Sequence, residues 1–252
     1  MKNSLFYLFF WFTLGMFSQS KESPKNVSKL NTDHFVGCDY NMDLYYFTGT
    51  VFTKKTKERE LNYSNFLYGD ITSIDITNPL KIVVFYRDFN VVVILDSQLN
   101  ELEVVQIPYD ILFASKGAAN HIWLFTTNTR TIENYNFKTK TVASKSQPLK
   151  NISAKKLRST ENYAYLQTEN GILVFDYLSN YIETKEATNL VDFQISNRKL
   201  FTATKDSIFK LSSEKEFIIA PDLESFDNFY MNNKYIYIYQ ESQLYLFSTE
   251  KK

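Results

Sequence analysis

Residue types that bind metals crowd together at one place in the chain. They are Asp33, His34, Cys38, Asp39 and Asp43. The run from Asp39 to Asp43 begins like a calcium loop, but Leu44 stands where such a loop needs glycine and Thr50 where it needs glutamate. A transition-metal site needs further ligands, and only one other histidine exists, His121. We therefore expect turn residues here, and no metal.

Motifs for catalysis are also missing. The six glycines form no phosphate-binding loop, no dinucleotide fingerprint and no G-x-S-x-G elbow. Glu101 and Glu103 share one face of a predicted strand, as an acid–base pair would, but exposed outer strands commonly carry such carboxylates. Cys38 is the single cysteine, so no intrachain disulfide can form. We predict no catalytic residue and no cofactor, and a non-enzymatic role is favoured.

The elements that position these residues form six repeats of two apolar runs separated by a turn. Each repeat ends at a polar corner, and the corners are Lys55, Asp96, Asn136, Asp176, Ser212 and Ser248, spaced by 41, 40, 40, 36 and 36 residues. A period of this size made only of strands is typical of a β-propeller. The sequence predicts an all-β propeller of six four-stranded blades, with five or seven blades as alternatives.

The second repeat shows the four strands of a blade most clearly. They are predicted at residues 71–77, 81–88, 91–98 and 101–107. The runs KIVVFY and VVVIL are continuously apolar, which indicates middle strands buried on both faces. The chain also has 22 Phe and 18 Tyr, which we predict to fill the core between blades.

The sixth repeat, which starts near Phe226, has only three obvious strands. Residues 25–31 are the spare segment that can supply the fourth strand and protect the open edge. We therefore divide the chain into a signal peptide (1–20), an extended leader that closes the ring (21–34) and one propeller domain (35–252).

The first 20 residues have the pattern of a secretory signal peptide. Lys2 precedes an apolar run from Leu5 to Phe17, which is short for a membrane span, and cleavage is expected after Ser18 or Ser20. An uncleaved N-terminal anchor is the alternative. We predict an exported protein, periplasmic or envelope-associated, with an extracellular address left open, and no transmembrane segment in the mature chain.

Charge argues against a nucleic-acid partner. The chain has 28 basic and 28 acidic residues, and removing the signal peptide takes away only Lys2. Nucleic-acid binding needs a concentrated basic face.

Two surfaces remain as candidates for binding. Loops between blades and the turns between second and third strands lie on one rim, where aromatic residues alternate with charged ones, as in recognition hot spots. The candidate contacts on this rim are Arg87, Phe89, Tyr109, Tyr68 and Arg130. The alternative is that these are ordinary turn residues.

The second candidate surface is the central channel, which the first strands line. Its candidate residues are Asp39, Asp75, Lys156, Gln194 and Asp227.

The blade-like repeats behind an export signal, best seen in ITNPLKIVVFYRDFNVVVILDSQLNE, resemble envelope propellers. These include quinoprotein-like propellers and the scaffolds of outer-membrane assembly. The resemblance implies the propeller architecture and brings no activity with it. Our leading hypothesis is a monomeric, non-enzymatic propeller that serves as an interaction scaffold or assembly factor for another envelope protein. The alternative is a propeller that binds, or hydrolyses, a small molecule or glycan in its channel.

Overall fold

The computed structural model describes residues 21–212, 215–226 and 228–249, with only the backbone described at residue 215. The predicted signal peptide (1–20) and the channel candidate Asp227 lie outside the described residues. No helix among the described residues is long and apolar enough to cross a membrane.

The described chain forms six antiparallel four-stranded sheets, which are the six blades of a β-propeller. Blade 1 contains β2 (His34–Cys38), β3 (Leu44–Thr48), β4 (Val51–Lys55) and β5 (Glu60–Ser64). Blade 2 contains β6 (Ser73–Asp75), β7 (Ile82–Tyr86), β8 (Val91–Leu95) and β9 (Glu101–Gln106). Blade 3 contains β10 (Ile111–Lys116), β11 (His121–Thr126), β12 (Ile132–Asn136) and β13 (Thr141–Lys145).

Blade 4 contains β14 (Lys156–Ser159), β15 (Ala164–Thr168), β16 (Gly171–Phe175) and β17 (Tyr181–Glu186). Blade 5 contains β18 (Asp192–Ser196), β19 (Lys199–Ala203), β20 (Ile208–Leu211) and β21 (Lys215–Ile219). Blade 6 contains β22 (Phe229–Met231), β23 (Tyr235–Gln240), β24 (Gln243–Ser248) and β1 (Asn26–Lys29). The predicted fold class and six-blade count are confirmed.

The N-terminal strand closes the ring as predicted. β1 pairs antiparallel with β24, with Asn26 opposite Leu246 and Lys29 opposite Gln243. All four residues of β1 are exposed, whereas Leu30, directly after it, is 7% exposed. The strand is therefore held by backbone pairing and by the buried Leu30 side chain.

Burial across a blade follows the hydrophobic pattern. All five residues of β7 and all five of β8 are buried, as expected for strands covered on both faces. The outer strand β17 is mostly exposed. Apolar clusters lie between neighbouring blades, and Trp123 and Phe125 of blade 3, for example, pack with Leu166 and Phe175 of blade 4. This supports the prediction that aromatic residues fill the core between blades.

The alternating strand directions give the propeller two ends. The turns between second and third strands and the loops between blades lie at one end, which we call the rim face. The turns between first and second strands lie at the other end, which we call the opposite face. Each inner strand therefore begins at the rim face and ends at the opposite face.

Candidate functional site

A short 3-10 helix between blades 1 and 2 carries the most exposed apolar side chains of the rim face. It spans Phe66–Tyr68, and its side chains Phe66 and Leu67 are 81% and 75% exposed. Asn65 caps it, because its Oδ1 accepts a hydrogen bond from the Leu67 N–H at 3.0 Å. The Asn65 amide also donates to Glu101 Oε1 at 3.2 Å. These two hydrogen bonds fix the loop to blade 2 and leave the side chains of Phe66 and Leu67 exposed to solvent.

Phe89 extends this apolar surface from the turn between β7 and β8. It is 50% exposed, and the half-buried Tyr68 ring lies edge-on to it at 6.5 Å between centroids. Tyr68 in turn packs against the buried Tyr86 ring at 5.5 Å. We call Phe66, Leu67, Tyr68 and Phe89 the rim patch. Sequence analysis selected Tyr68 and Phe89 but not Leu67, although a run of Phe-Leu-Tyr between Asn65 and Gly69 signals an apolar loop.

Charged side chains surround the rim patch. Arg87, Asp88 and Asp70 are exposed beside it, and exposed Asp110 accepts a hydrogen bond from the Asn90 amide at 3.1 Å. Among the described residues in the loops and turns of the rim face, acidic side chains outnumber basic ones. The acidic ones are Asp33, Asp70, Asp88, Asp110, Glu169, Asp206, Asp222, Glu224 and Glu241, and the basic ones are Arg87, Arg130, Lys150, Lys155 and Lys205.

Two of the predicted rim contacts also hold the loops in place. The Tyr109 hydroxyl donates to Glu133 Oε2 at 2.7 Å, and Glu133 is 2% exposed. Burial raises the pKa of Tyr109, and the hydrogen bond to Glu133 raises it further. The Arg130 Nε donates to the Leu149 carbonyl at 3.1 Å, and its guanidinium also bonds the Ile152 carbonyl. Arg87 and Phe89 are the predicted contacts with the most accessible side chains.

The inner strands of the blades line a channel with a cavity of about 1010 Å³. Two predicted channel residues, Asp39 and Asp75, use their oxygens within the fold. Asp39 accepts hydrogen bonds from the Tyr45 hydroxyl at 2.9 Å and from two backbone N–H groups. Asp75 accepts from the Ser115 hydroxyl at 2.5 Å and from the N–H groups of Lys116 and Thr77. These carboxylates join neighbouring blades or turns.

An ion triad centred on the buried Asp192 connects blades 4 and 5 at the channel wall, and its cations Lys156 and Arg158 are 36% and 29% exposed. Asp192, at the start of β18, is fully buried, and the Lys156 Nζ lies 2.6 Å from its Oδ1. The Arg158 guanidinium lies 3.3 Å from the same oxygen. Burial by itself would raise the pKa of Asp192, but Lys156 and Arg158 together hold it below its usual value. Burial lowers the pKa of the Lys156 ammonium. The negative charge of Asp192 raises this pKa and the positive charge of Arg158 lowers it, and the net shift is downward.

Sequence analysis found Lys156 and Gln194 but missed Arg158 and Asp192. The Gln194 amide donates to the Phe229 carbonyl at 2.9 Å, so it also acts between blades. Lys156 and Arg158 are two residues apart on β14, a spacing that puts both side chains on one face of a strand. Because side chains alternate along a strand, the prediction of Lys156 as a channel residue should have been extended to Arg158.

The metal-ligand residue types near the start of blade 1 do not converge. No group of three or more His, Cys, Asp or Glu side chains is placed to hold a metal ion in the described part of the chain. His34 is exposed and stacks on Phe47 at 4.6 Å between centroids. Cys38 is 1% exposed, and burial raises the pKa of its thiol to about 11. Asp39 is 7% exposed, whereas Tyr40 and Met42 of the same turn are 83% and 39% exposed, so the turn is solvated except at Asp39.

No protein-family model matches the chain, and no curated protein is similar to it in sequence. Solved structures do match. A chain of the mitotic checkpoint complex is 8% identical with a TM-score of 0.62, and the match covers 98% of each chain. Virginiamycin B lyase from Staphylococcus aureus is 13% identical with a TM-score of 0.58, covering 83% of this chain and 78% of the lyase. BamB from Moraxella catarrhalis is 11% identical with a TM-score of 0.51, covering 89% of this chain and 99% of BamB. At such identities the likeness shows the fold alone: the chain is a six-bladed β-propeller that resembles quinoprotein-like propellers in architecture.

Proposed function

We propose that this protein is an exported, non-enzymatic propeller whose rim face binds another protein of the cell envelope, as a scaffold or assembly factor. The observation that carries the proposal is the rim patch. Phe66, Leu67 and Phe89 are 81%, 75% and 50% exposed and lie on two loops that pack together. Contiguous exposed aromatic and aliphatic side chains on a fixed frame are typical of protein-binding surfaces.

Charge narrows the class of partner. Exposed acidic residues predominate in the described loops of the rim face, and Asp70 and Asp88 lie beside the rim patch. A partner surface with an apolar pocket surrounded by Lys and Arg would complement this arrangement. Such a partner would associate faster at low ionic strength, because exposed charges steer the encounter and salt screens them.

Structural likeness supports the proposal at the level of fold. BamB and the chain of the mitotic checkpoint complex share this architecture, and the second is part of a protein complex. The apolar segment with Lys2 at the chain's start supports export.

The test is co-purification of the tagged full-length protein from gently solubilised envelopes of cells that normally make it. The variant Phe66→Ser/Leu67→Ser/Phe89→Ser removes the rim patch. The matched control, Tyr40→Ser/Leu80→Ser, removes apolar side chains that are 83% and 68% exposed on the opposite face. We expect a stoichiometric basic partner that the control retains and the rim variant loses, with equal melting temperatures for both variants. A partner that is absent, or lost equally in both, contradicts the proposal.

A further inference from the structure

Blades 4 and 6 leave hydrogen-bonding groups of the channel wall without partners. The Nε of Arg158 is buried and has no hydrogen-bond partner among the described residues. The Asn228 side-chain oxygen is also buried and has no hydrogen-bond partner among the described residues. The half-buried Tyr230 hydroxyl also makes no hydrogen bond with a described residue, and all three residues line the channel. The Asn228 oxygen is an acceptor, whereas the Arg158 guanidinium, on a side chain that is 29% exposed, and the Tyr230 hydroxyl are donors. Buried polar groups normally find partners, so donors of the channel wall with unused capacity indicate a place for a ligand.

The acidic side chains Asp39, Asp75 and Asp192, which line the channel, already have ion-pair or hydrogen-bond partners within the fold. Asp192 is paired with Lys156 and Arg158, and Asp39 lies 3.9 Å from the Lys54 ammonium. Asp75 accepts three hydrogen bonds within the fold. An incoming anion therefore meets carboxylates whose oxygens are occupied by the protein's own donors.

Cations without an acidic partner stand at the mouth on the opposite face. Arg198 and Lys234 are exposed there, line the channel, and form no salt bridge with a described residue. Both lie in turns that follow an inner strand, β18 and β22. Asp39 and Asp75 also lie at this end of the channel, where β2 and β6 finish, but their oxygens accept hydrogen bonds within the fold. Arg198 and Lys234 are the exposed charges at this mouth that can raise the local concentration of an anion.

Gly37 fixes the Tyr230 ring. Its φ is +153°, and a Cβ built there would lie 2.3 Å from the Tyr230 Cδ2. The ring thus lies flat against the backbone of β2, and its hydroxyl position is set by packing. Exposed Tyr40 also lines the channel and offers an apolar ring at the mouth.

We propose that the channel binds a small molecule that carries one carboxylate or phosphate group, with the anion on Arg158 and Tyr230 and entry past Arg198 and Lys234. A cavity of about 1010 Å³ is large enough for a metabolite-sized ligand. Arginine provides several N–H donors in a planar array that suits the oxygens of both groups. This site is independent of the rim patch, so either proposal can fail alone.

The test uses three probes of equal ring size, phenyl phosphate, benzoate and neutral benzyl alcohol, with the folded full-length protein. Binding is measured by titration in ligand-observed NMR and by thermal shift. We expect one anionic probe to bind at least about 10-fold more tightly than benzyl alcohol, the range for a hydrogen bond to a charged group. The comparison of phenyl phosphate with benzoate shows whether the site prefers a phosphate or a carboxylate group. Equal binding of all three probes, or no binding, overturns the proposal.

Variants locate the site. Tyr230→Phe removes one hydroxyl and should weaken the anionic probe about 10-fold. Arg198→Gln/Lys234→Gln should weaken it severalfold and reduce its salt dependence. The matched control is Lys150→Gln/Lys205→Gln, which removes two exposed charges from the rim face. None of these positions belongs to the ion triad of Asp192, Lys156 and Arg158, so the variants should remain folded. A control that weakens binding as much as the mouth variant overturns the proposal.

Discussion

At the scale of single residues, Asp192 shows how the protein keeps a charge in its interior. A carboxylate with no exposed surface is stable only where cations and hydrogen-bond donors compensate for lost hydration. Lys156, Arg158 and the Phe229 N–H provide that compensation from blades 4 and 6. One side chain on the fifth blade therefore ties three blades together.

Replacing Asp192 tests this assignment. Because its pKa is lowered in the folded protein, ionised Asp192 contributes stability above its unfolded pKa of about 4, and that contribution is lost as the pH falls below this value. Asp192→Asn should lower the free energy of unfolding by about 3 kcal/mol at pH 7. The difference from the wild type should shrink toward pH 3 in chemical denaturation. A difference that stays constant with pH would show that Asp192 is not held ionised.

Gly37 is required by both its backbone and its neighbour. At φ +153° a side chain is strained, and the added Cβ would overlap the Tyr230 ring. Gly37→Ala should lower the free energy of unfolding by about 2–3 kcal/mol. Gly49 is the matched control, because its φ is +54° but the nearest atom to an added Cβ is 3.6 Å away. Gly49→Ala should cost about 1 kcal/mol. Equal losses, read from denaturation midpoints, would argue against the overlap with Tyr230.

At the scale of elements, β1 is the strand whose contribution is easiest to isolate. Its residues are all exposed, so pairing with β24 accounts for most of its stabilisation. The Leu30 N–H donates to the Ser242 carbonyl at 2.9 Å, and antiparallel alternation then directs the Ser28 N–H toward β24 and the Val27 N–H away from it.

This alternation gives a matched pair of substitutions. Ser28→Pro removes a donor from the ladder and should lower the free energy of unfolding by about 1–2 kcal/mol. Val27→Pro removes a donor that faces away from β24, so its effect should be clearly smaller. Both side chains are exposed, and differences in side-chain burial therefore do not confuse the comparison. If both variants unfold at the same denaturant concentration, β1 does not close the ring in this register.

The elements also show what the sequence could and could not predict. The continuous apolar runs of β7 and β8 and the three-strand sixth repeat were enough to predict the blades and their closure, because burial leaves a regular pattern. The ion triad was missed because Asp192 and Arg158 are 34 residues apart and meet only through packing of blades. Leu67 was missed because exposure of an apolar loop residue depends on its cap and on blade 2.

At the scale of the whole molecule, the two faces differ in character. The rim face carries an apolar patch among acidic loops, whereas the mouth on the opposite face carries Arg198 and Lys234. The two proposed sites, the rim patch for a protein and the channel behind Arg198 and Lys234 for a small anion, therefore do not overlap.

The predicted export also concerns the whole molecule. The pattern of residues 1–20 predicts that the mature chain begins after Ser18 or Ser20. Intact-mass analysis of the protein recovered from an envelope fraction measures this directly. A full-length mass in the cytoplasmic fraction would contradict export, and a full-length mass in the membrane fraction would favour an uncleaved anchor.

The most direct test of the central claim is site-specific photo-crosslinking in living cells. A photoreactive amino acid replaces Leu67 in the rim patch or, as the control, Leu80 on the opposite face; these side chains are 75% and 68% exposed. We predict a discrete crosslink to one envelope protein from position 67 and none from position 80. A crosslink to that protein from position 80 alone, or none from position 67, would contradict binding through the rim face.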